Sequence, residues 1–180
     1  SESPNSTVGI KSIEVESEAG IAPTPQKEYY IEFIGDSITC GYGVEDENKD
    51  HHFSTSTENA MKTYAYKTAQ ALDADYSLVS FSGYGVISGY SGDGQKHGEQ
   101  AVSKYYEKLG FSYGNYLGQI PHDTEWDFAK RQPDLIVINL GTNDESYTGA
   151  DETRRDEFVQ GYVDFLKQVR GKNPDAMIFC

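Results

Sequence analysis

At 180 residues, 37% hydrophobic and 24% charged, the chain is long enough for one domain with a real core and has neither a disordered nor a membrane composition. Fifteen basic against 29 acidic residues give a formal net charge of −14, which opposes nucleic acid and anionic membrane surfaces and favours a neutral partner. The most apolar run, Leu135 to Leu140, has strand length and falls far short of a membrane span.

Residues 1–28 are polar and rich in Ser, Glu and Pro. Alternation from Ile10 to Val15 predicts a strand, and Ala22-Pro23-Thr24-Pro25 a stiff extended connector. A lone strand cannot bury its own apolar face, so this segment reads as a linker or the tail of a preceding domain. From Tyr29 the pattern becomes regular. Tyr30 to Ile34 is a strand, Thr57 to Leu72 a helix with Met61, Ala65, Ala69 and Leu72 on one face, and Tyr76 to Phe81 a second strand. The interval from Gly83 to His122 is too long for a plain connection and has only a weak helical stretch near Glu99 to Leu109. It carries Tyr84, Tyr90, Tyr105, Tyr106, Tyr113 and Tyr116, which either line a sugar-binding surface or pack on one another. Trp126 is expected to pack from a helix. Asp134 to Leu140 is a third strand, whose β-branched run suits burial on both faces of a parallel sheet. Phe158, Tyr162, Phe165, Leu166 and Val169 then mark a helix that starts at Asp151 or Thr153 and stops at Gly171 and Pro174, and Ala176 to Phe179 begins a fourth strand. Alternating strands and helices imply an α/β fold with a parallel sheet and right-handed crossovers.

In such sheets ligands bind beyond the carboxyl ends of the strands. Strand 1 runs into Gly35-Asp36-Ser37-Ile38-Thr39, which places Ser37 where a nucleophile belongs, although a serine capping the next helix is the plainer reading of that spacing alone. Strand 2 ends in Ser82-Gly83-Tyr84-Gly85 and strand 3 in Gly141-Thr142-Asn143-Asp144. One sheet edge thus receives a hydroxyl, a small residue with a backbone amide and an amide side chain, the set a tetrahedral acyl intermediate needs.

With these blocks in this order, residues 29–180 resemble the SGNH/GDSL hydrolase superfamily. The stretch from Ile31 to Gly43 is most like carbohydrate esterase family 2, deacetylases of xylan and related polysaccharides. The resemblance implies a flavodoxin-like three-layer α/β sandwich with a mostly parallel sheet, and a secreted serine esterase that removes O-acetyl groups through an acyl-enzyme. It makes Ser37 the catalytic nucleophile, the amides of Ser37 and Gly83 and the side chain of Asn143 the oxyanion hole, Gly85 the fallback for Gly83, and Asp36 and Asp144 supporting residues. It implies acetylated carbohydrate as substrate, neither metal nor cofactor, and a small β-sandwich before residue 29.

One family feature is missing. The base comes from an Asp-x-x-His block after Gly-Thr-Asn-Asp, and no histidine follows His122. His51 and His52 lie in an acidic loop, His97 in the glycine-rich interval, and His122 precedes strand 3, which puts it toward the other end of the sheet. The domain is therefore expected to be C-terminally incomplete, with its histidine in a missing segment, and nearly inactive alone, since removing a triad base costs on the order of 10⁶ in rate. Two other readings stand beside the esterase: a non-catalytic carbohydrate-binding module on the same scaffold, and a lipase or lysophospholipase, against which the Tyr, Gly and Asp of the inferred rim argue. Cys40 and Cys180 show no zinc or dithiol spacing, so buried thiols are expected, Cys40 packing behind the nucleophile loop.

Overall fold

The computed structural model of the chain describes residues 2, 4, 10–115 and 118–180. Four parallel strands form one sheet in the order β2-β1-β3-β4: β1 is Tyr29–Gly35, β2 Ala74–Ser80, β3 Leu135–Asn139 and β4 Met177–Phe179. The helices are α1 (Ser37–Cys40), α2 (Tyr64–Ala71), α3 (Thr142–Thr148) and α4 (Glu152–Lys172). Among the described residues no helix is long and apolar enough to cross a membrane.

The central strands owe their position to what they bury. Ile31 and Phe33 pack with Ala65 and Ala69 of α2 in one cluster, while Ile34, Ile136 and Ile138 pack in another with Phe165 and Val169 of α4. Alternate side chains of β1 thus serve two layers, as the period-2 geometry of a strand requires. α4 follows the spacing of its apolar residues closely. Asp151 caps it by accepting from the Arg154 amide at 3.1 Å, and the helix runs through Gly171 to end at Lys172, where the Asn173 amide closes the last turn on Val169 O.

Where the chain departs from the sequence pattern, burial explains it. Only Tyr64–Ala71 of the expected helix from Thr57 to Leu72 is α-helical, because the small Ala65 and Ala69 suffice to seat it against β1 and leave Met61 and Leu72 in solvent. Ala60–Lys62 is a single 3-10 turn instead, capped by Asn59. The Glu99 to Leu109 stretch is two 3-10 turns, Gly98–Gln100 and Val102–Lys104. Ile10 to Val15 is irregular, with Ile10, Ile13 and Val15 exposed and, among the described residues, no strand alongside to complete a ladder. Trp126 sits in no helix; it is part-exposed in an irregular segment, with the Lys130 ammonium 5.5 Å from its ring centre.

Of the tyrosine set, Tyr84 and Tyr106 are buried and Tyr105 packs against them, so these are core residues, whereas Tyr90 and Tyr113 face solvent. Tyr116 lies outside the described residues.

Candidate active site

Because β1 lies between β2 and β3, the ends of all three strands meet. Gly35 is in register with Ser80 on one side and Asn139 on the other. Two residues further along, Ser37, Ser82 and Gly141 therefore leave the sheet at the same level, and the three sequence blocks converge on one edge.

Asp36, buried at 1% exposure, caps α1 by accepting the Ile38 amide at 3.0 Å through Oδ1. Its other oxygen accepts from Asn143 Nδ2 at 3.3 Å. The same Nδ2 donates more closely, at 2.7 Å, to the carbonyl of Tyr84. Asn143, itself buried in the first turn of α3, thereby ties the loop after β1 to the loop after β2. Burial, with Asp144 nearby, pushes the Asp36 carboxyl above its ordinary value, against the pull of backbone amides.

Ser37 opens α1 and is half-buried. As a first-turn residue it has an amide that no intrahelical carbonyl can serve; among the described residues neither that amide nor the hydroxyl has a hydrogen-bond partner. Gly83 is the third residue of a turn closed by Tyr84 N–H on Phe81 O at 3.2 Å, and its φ of +81° is the value that position demands in a type II turn. Its amide likewise meets no acceptor among the described residues. Gly85, the alternative to Gly83, is committed elsewhere: its amide donates to Gln100 O at 3.1 Å.

Asp144 does not reach toward Ser37 at all. Its carboxylate, 1% exposed, accepts three backbone amides of the loop after β2: Val86 at 2.8 Å, Ile87 at 2.8 Å and Ser88 at 3.0 Å. The loop comes so close that a Cβ at position 85 would stand 2.7 Å from Asp144 Cγ. We expect Gly85→Ala to lower the unfolding free energy by ~1–3 kcal/mol, the usual cost of an overpacked site, as read from urea unfolding.

The sequence reading missed several contacts here because they come from backbone or from distant residues. The Tyr84 carbonyl that holds Asn143 is invisible to side-chain pattern. Ser146 of α3 accepts the Ser91 amide at 2.7 Å, and Glu2 accepts the Ser82 amide at 2.7 Å, placing a carboxylate on the loop that carries Gly83.

Cys40 packs behind the loop that follows β1, as its position suggested, buried, with its thiol donating to Ser80 Oγ at 3.3 Å. Burial pushes it up to about 12. Cys180 is exposed rather than buried. In the folded chain at pH 8 a thiol reagent should therefore label Cys180 and spare Cys40, and denaturant should make both react; peptide mass mapping distinguishes the two.

None of the histidines bonds Ser37. His51 Nδ1 pairs with Asp46 at 2.9 Å in the acidic loop, whose Asp46, Asn48 and Asp50 are joined by side-chain-to-amide bonds of 3.0 Å, and His52 is exposed. His97 faces Asp93 and Glu99, and His122 lies against the Phe111 ring, 5.4 Å between centres.

A parallel α/β sheet that presents a serine, a glycine turn and a buried asparagine at one edge is the frame of an ester hydrolase, and the chain belongs to the GDSL-like Lipase/Acylhydrolase family, whose model matches residues 33–180. It is 40% identical over 159 residues, 88% of its length, to the cellulase/esterase CelE of Acetivibrio thermocellus. It is 33% identical over 161 residues, 84% of its length, to an acetylxylan esterase / glucomannan deacetylase of Cellvibrio japonicus. Its fold matches a family two carbohydrate esterase from Clostridium thermocellum, solved in complex with cellohexaose, at a TM-score of 0.72 and 38% identity over 89% of this chain. The chain spans 17% of CelE, 41% of the Cellvibrio enzyme and 44% of that solved chain.

Proposed function

We propose that this chain carries the nucleophile side of the active site of a secreted serine esterase that removes O-acetyl groups from polysaccharides such as xylan. The observation that supports the reading is the register of three strand ends, from which the loops carrying Ser37, Gly83 and Asn143 leave one edge of the sheet. Ser37 Oγ attacks the acetyl carbonyl, the alcohol of the sugar leaves, and water then releases acetate from the acyl-enzyme. The developing oxyanion accepts from the amides of Ser37 and Gly83, both without acceptors among the described residues, and from Asn143. For this, Asn143 turns toward substrate the Nδ2 proton that it now gives to Asp36 across an N–O distance of 3.3 Å, and keeps its shorter bond to Tyr84 O as an anchor. Asp36 and Asp144 hold the two loops in place. The proton of Ser37 goes to a histidine outside these 180 residues, since none of the four within them bonds Ser37. The exposed Ile10, Ile13 and Val15 support residues 1–28 as the approach to a preceding β-sandwich on which they would be covered.

The test is acetate release from acetylated xylan by the full-length protein, compared across esters of increasing acyl length. Acetyl esters are expected to be hydrolysed best, and a preference for long acyl chains would favour a lipase. Asn143→Ala should lower kcat by roughly 10²–10³-fold with little change in KM, the signature of a donor used in the transition state.

A further inference from the structure

A cavity of about 410 Å³, lined by none of Ser37, Gly83 and Asn143, opens along the edge strand β2, between the sheet and residues of the stretches 105–112 and 121–128. That volume lies within the ~300–1,000 Å³ usual for small-molecule sites. Its floor is polar. Glu32 of β1, only 6% exposed, accepts from Tyr106 Oη at 2.9 Å and from Ser77 Oγ at 3.5 Å, and Tyr30 Oη donates to the same Ser77 hydroxyl at 2.9 Å. Burial pushes the Glu32 carboxyl above its ordinary value, more than the two hydroxyls pull it down.

The walls are aromatic. Tyr105 and Phe111 stand 4.7 Å apart between ring centres, Phe128 lies 5.4 Å from Tyr106, and Trp126 and Leu109 form the part-exposed mouth. The Lys108 ammonium, which also borders the cavity, is already paired with Glu125.

These features select a ligand class. An anion would meet a chain of net charge −14 and no unpaired cation in the lining. A cation would meet a carboxyl group whose two oxygens already accept from Tyr106 and Ser77, inside walls that are mainly aromatic. An aliphatic chain would lie against hydroxyl and carboxyl oxygens and leave their spare lone pairs unserved. A ring with apolar faces and hydroxyls around its edge satisfies both walls and floor.

We propose that this cavity is a second carbohydrate site, one that takes a neutral pyranose unit apart from the acyl-transfer centre. It shares a substrate class with the esterase reading but none of its residues, so either can fail without the other.

Trp126 lies in the cavity wall, so the part of an emission change that Trp126→Ala removes reports on this site. The full-length protein carrying Ser37→Ala is titrated with xylopentaose and with cellopentaose while tryptophan emission is followed, and affinity is measured in parallel by calorimetry. We expect a saturable emission change with at least one oligosaccharide. Trp126→Ala should weaken its calorimetric affinity tenfold or more with the circular dichroism spectrum unchanged. Glu32→Gln, which keeps a hydrogen-bonding group, should stay within about threefold, whereas Glu32→Leu should lose tenfold. Silence of the emission with both sugars would overturn the proposal. So would sugar binding that ignores Trp126→Ala, which would place the ligand elsewhere, or an emission change produced by octanoate and not by sugar, which would make the cavity an acyl site.

Discussion

Ser37→Ala in the full-length protein should remove esterase activity almost entirely, with kcat down on the order of 10⁵–10⁶-fold and stability unchanged. Ser37 is half-buried and, among the described residues, its hydroxyl makes no hydrogen bond, so the fold loses no partner when the oxygen is removed. The chemistry loses its nucleophile, and the remaining oxyanion donors can offer only the residual acceleration of polarisation and binding. Initial rates on an aryl acetate, together with the thermal unfolding midpoint, separate these effects. Activity within tenfold of the parent, with the fold intact, would remove Ser37 from the chemistry.

Asp144→Ala acts through structure instead, and its effect on stability should exceed that of any other site residue discussed. The substitution strips the acceptors from three amides, of which those of Val86 and Ser88 belong to buried residues. Leaving buried donors unpaired after deletion of a charged acceptor costs ~3–5 kcal/mol. With stabilities of ~5–15 kcal/mol typical for a domain, the variant sits near the threshold of folding. The loop it releases carries Gly83, the Tyr84 carbonyl that anchors Asn143, and Gly85. Activity should therefore fall even in molecules that remain folded. Urea unfolding gives the first number, and activity per folded molecule the second. A stability loss below about 1 kcal/mol would mean that water replaces the carboxylate at those amides.

The contrast between these two aspartates marks how far sequence reading carried. Asp36 and Asp144 each stand close to the end of a central strand, one directly after β1 and the other in the first turn of α3, and the blocks around them assign both a supporting role. Only the structure separates a carboxylate that caps α1 and meets Asn143 from one that pins a loop across the sheet. The sheet was legible because buried parallel strands leave continuous β-branched runs and α4 leaves apolar residues at helical spacing. α2 was less legible. Two alanines supply its whole buried stripe, and the larger Met61 and Leu72, which define a face on paper, remain in solvent. The stretch between Gly83 and His122 was least legible, because its order comes from amides and carbonyls meeting distant side chains, as Asp144 does with 86–88 and Ser146 with Ser91. Such contacts leave no periodic mark. The tyrosines show the same limit: composition placed six in one segment, but the burial of Tyr84 and Tyr106 and the exposure of Tyr90 and Tyr113 follow from where the segment folds back.

The central claim is that Ser37 is the nucleophile of an acyl-transfer site, and covalent trapping tests it most directly. The full-length protein is incubated with a fluorophosphonate, digested, and mapped by mass spectrometry. The account predicts one phosphonyl adduct, on the peptide carrying Ser37, absent from Ser37→Ala and accumulating in step with loss of esterase activity. Loss of activity with the adduct on another residue, or with no adduct at Ser37, would contradict it.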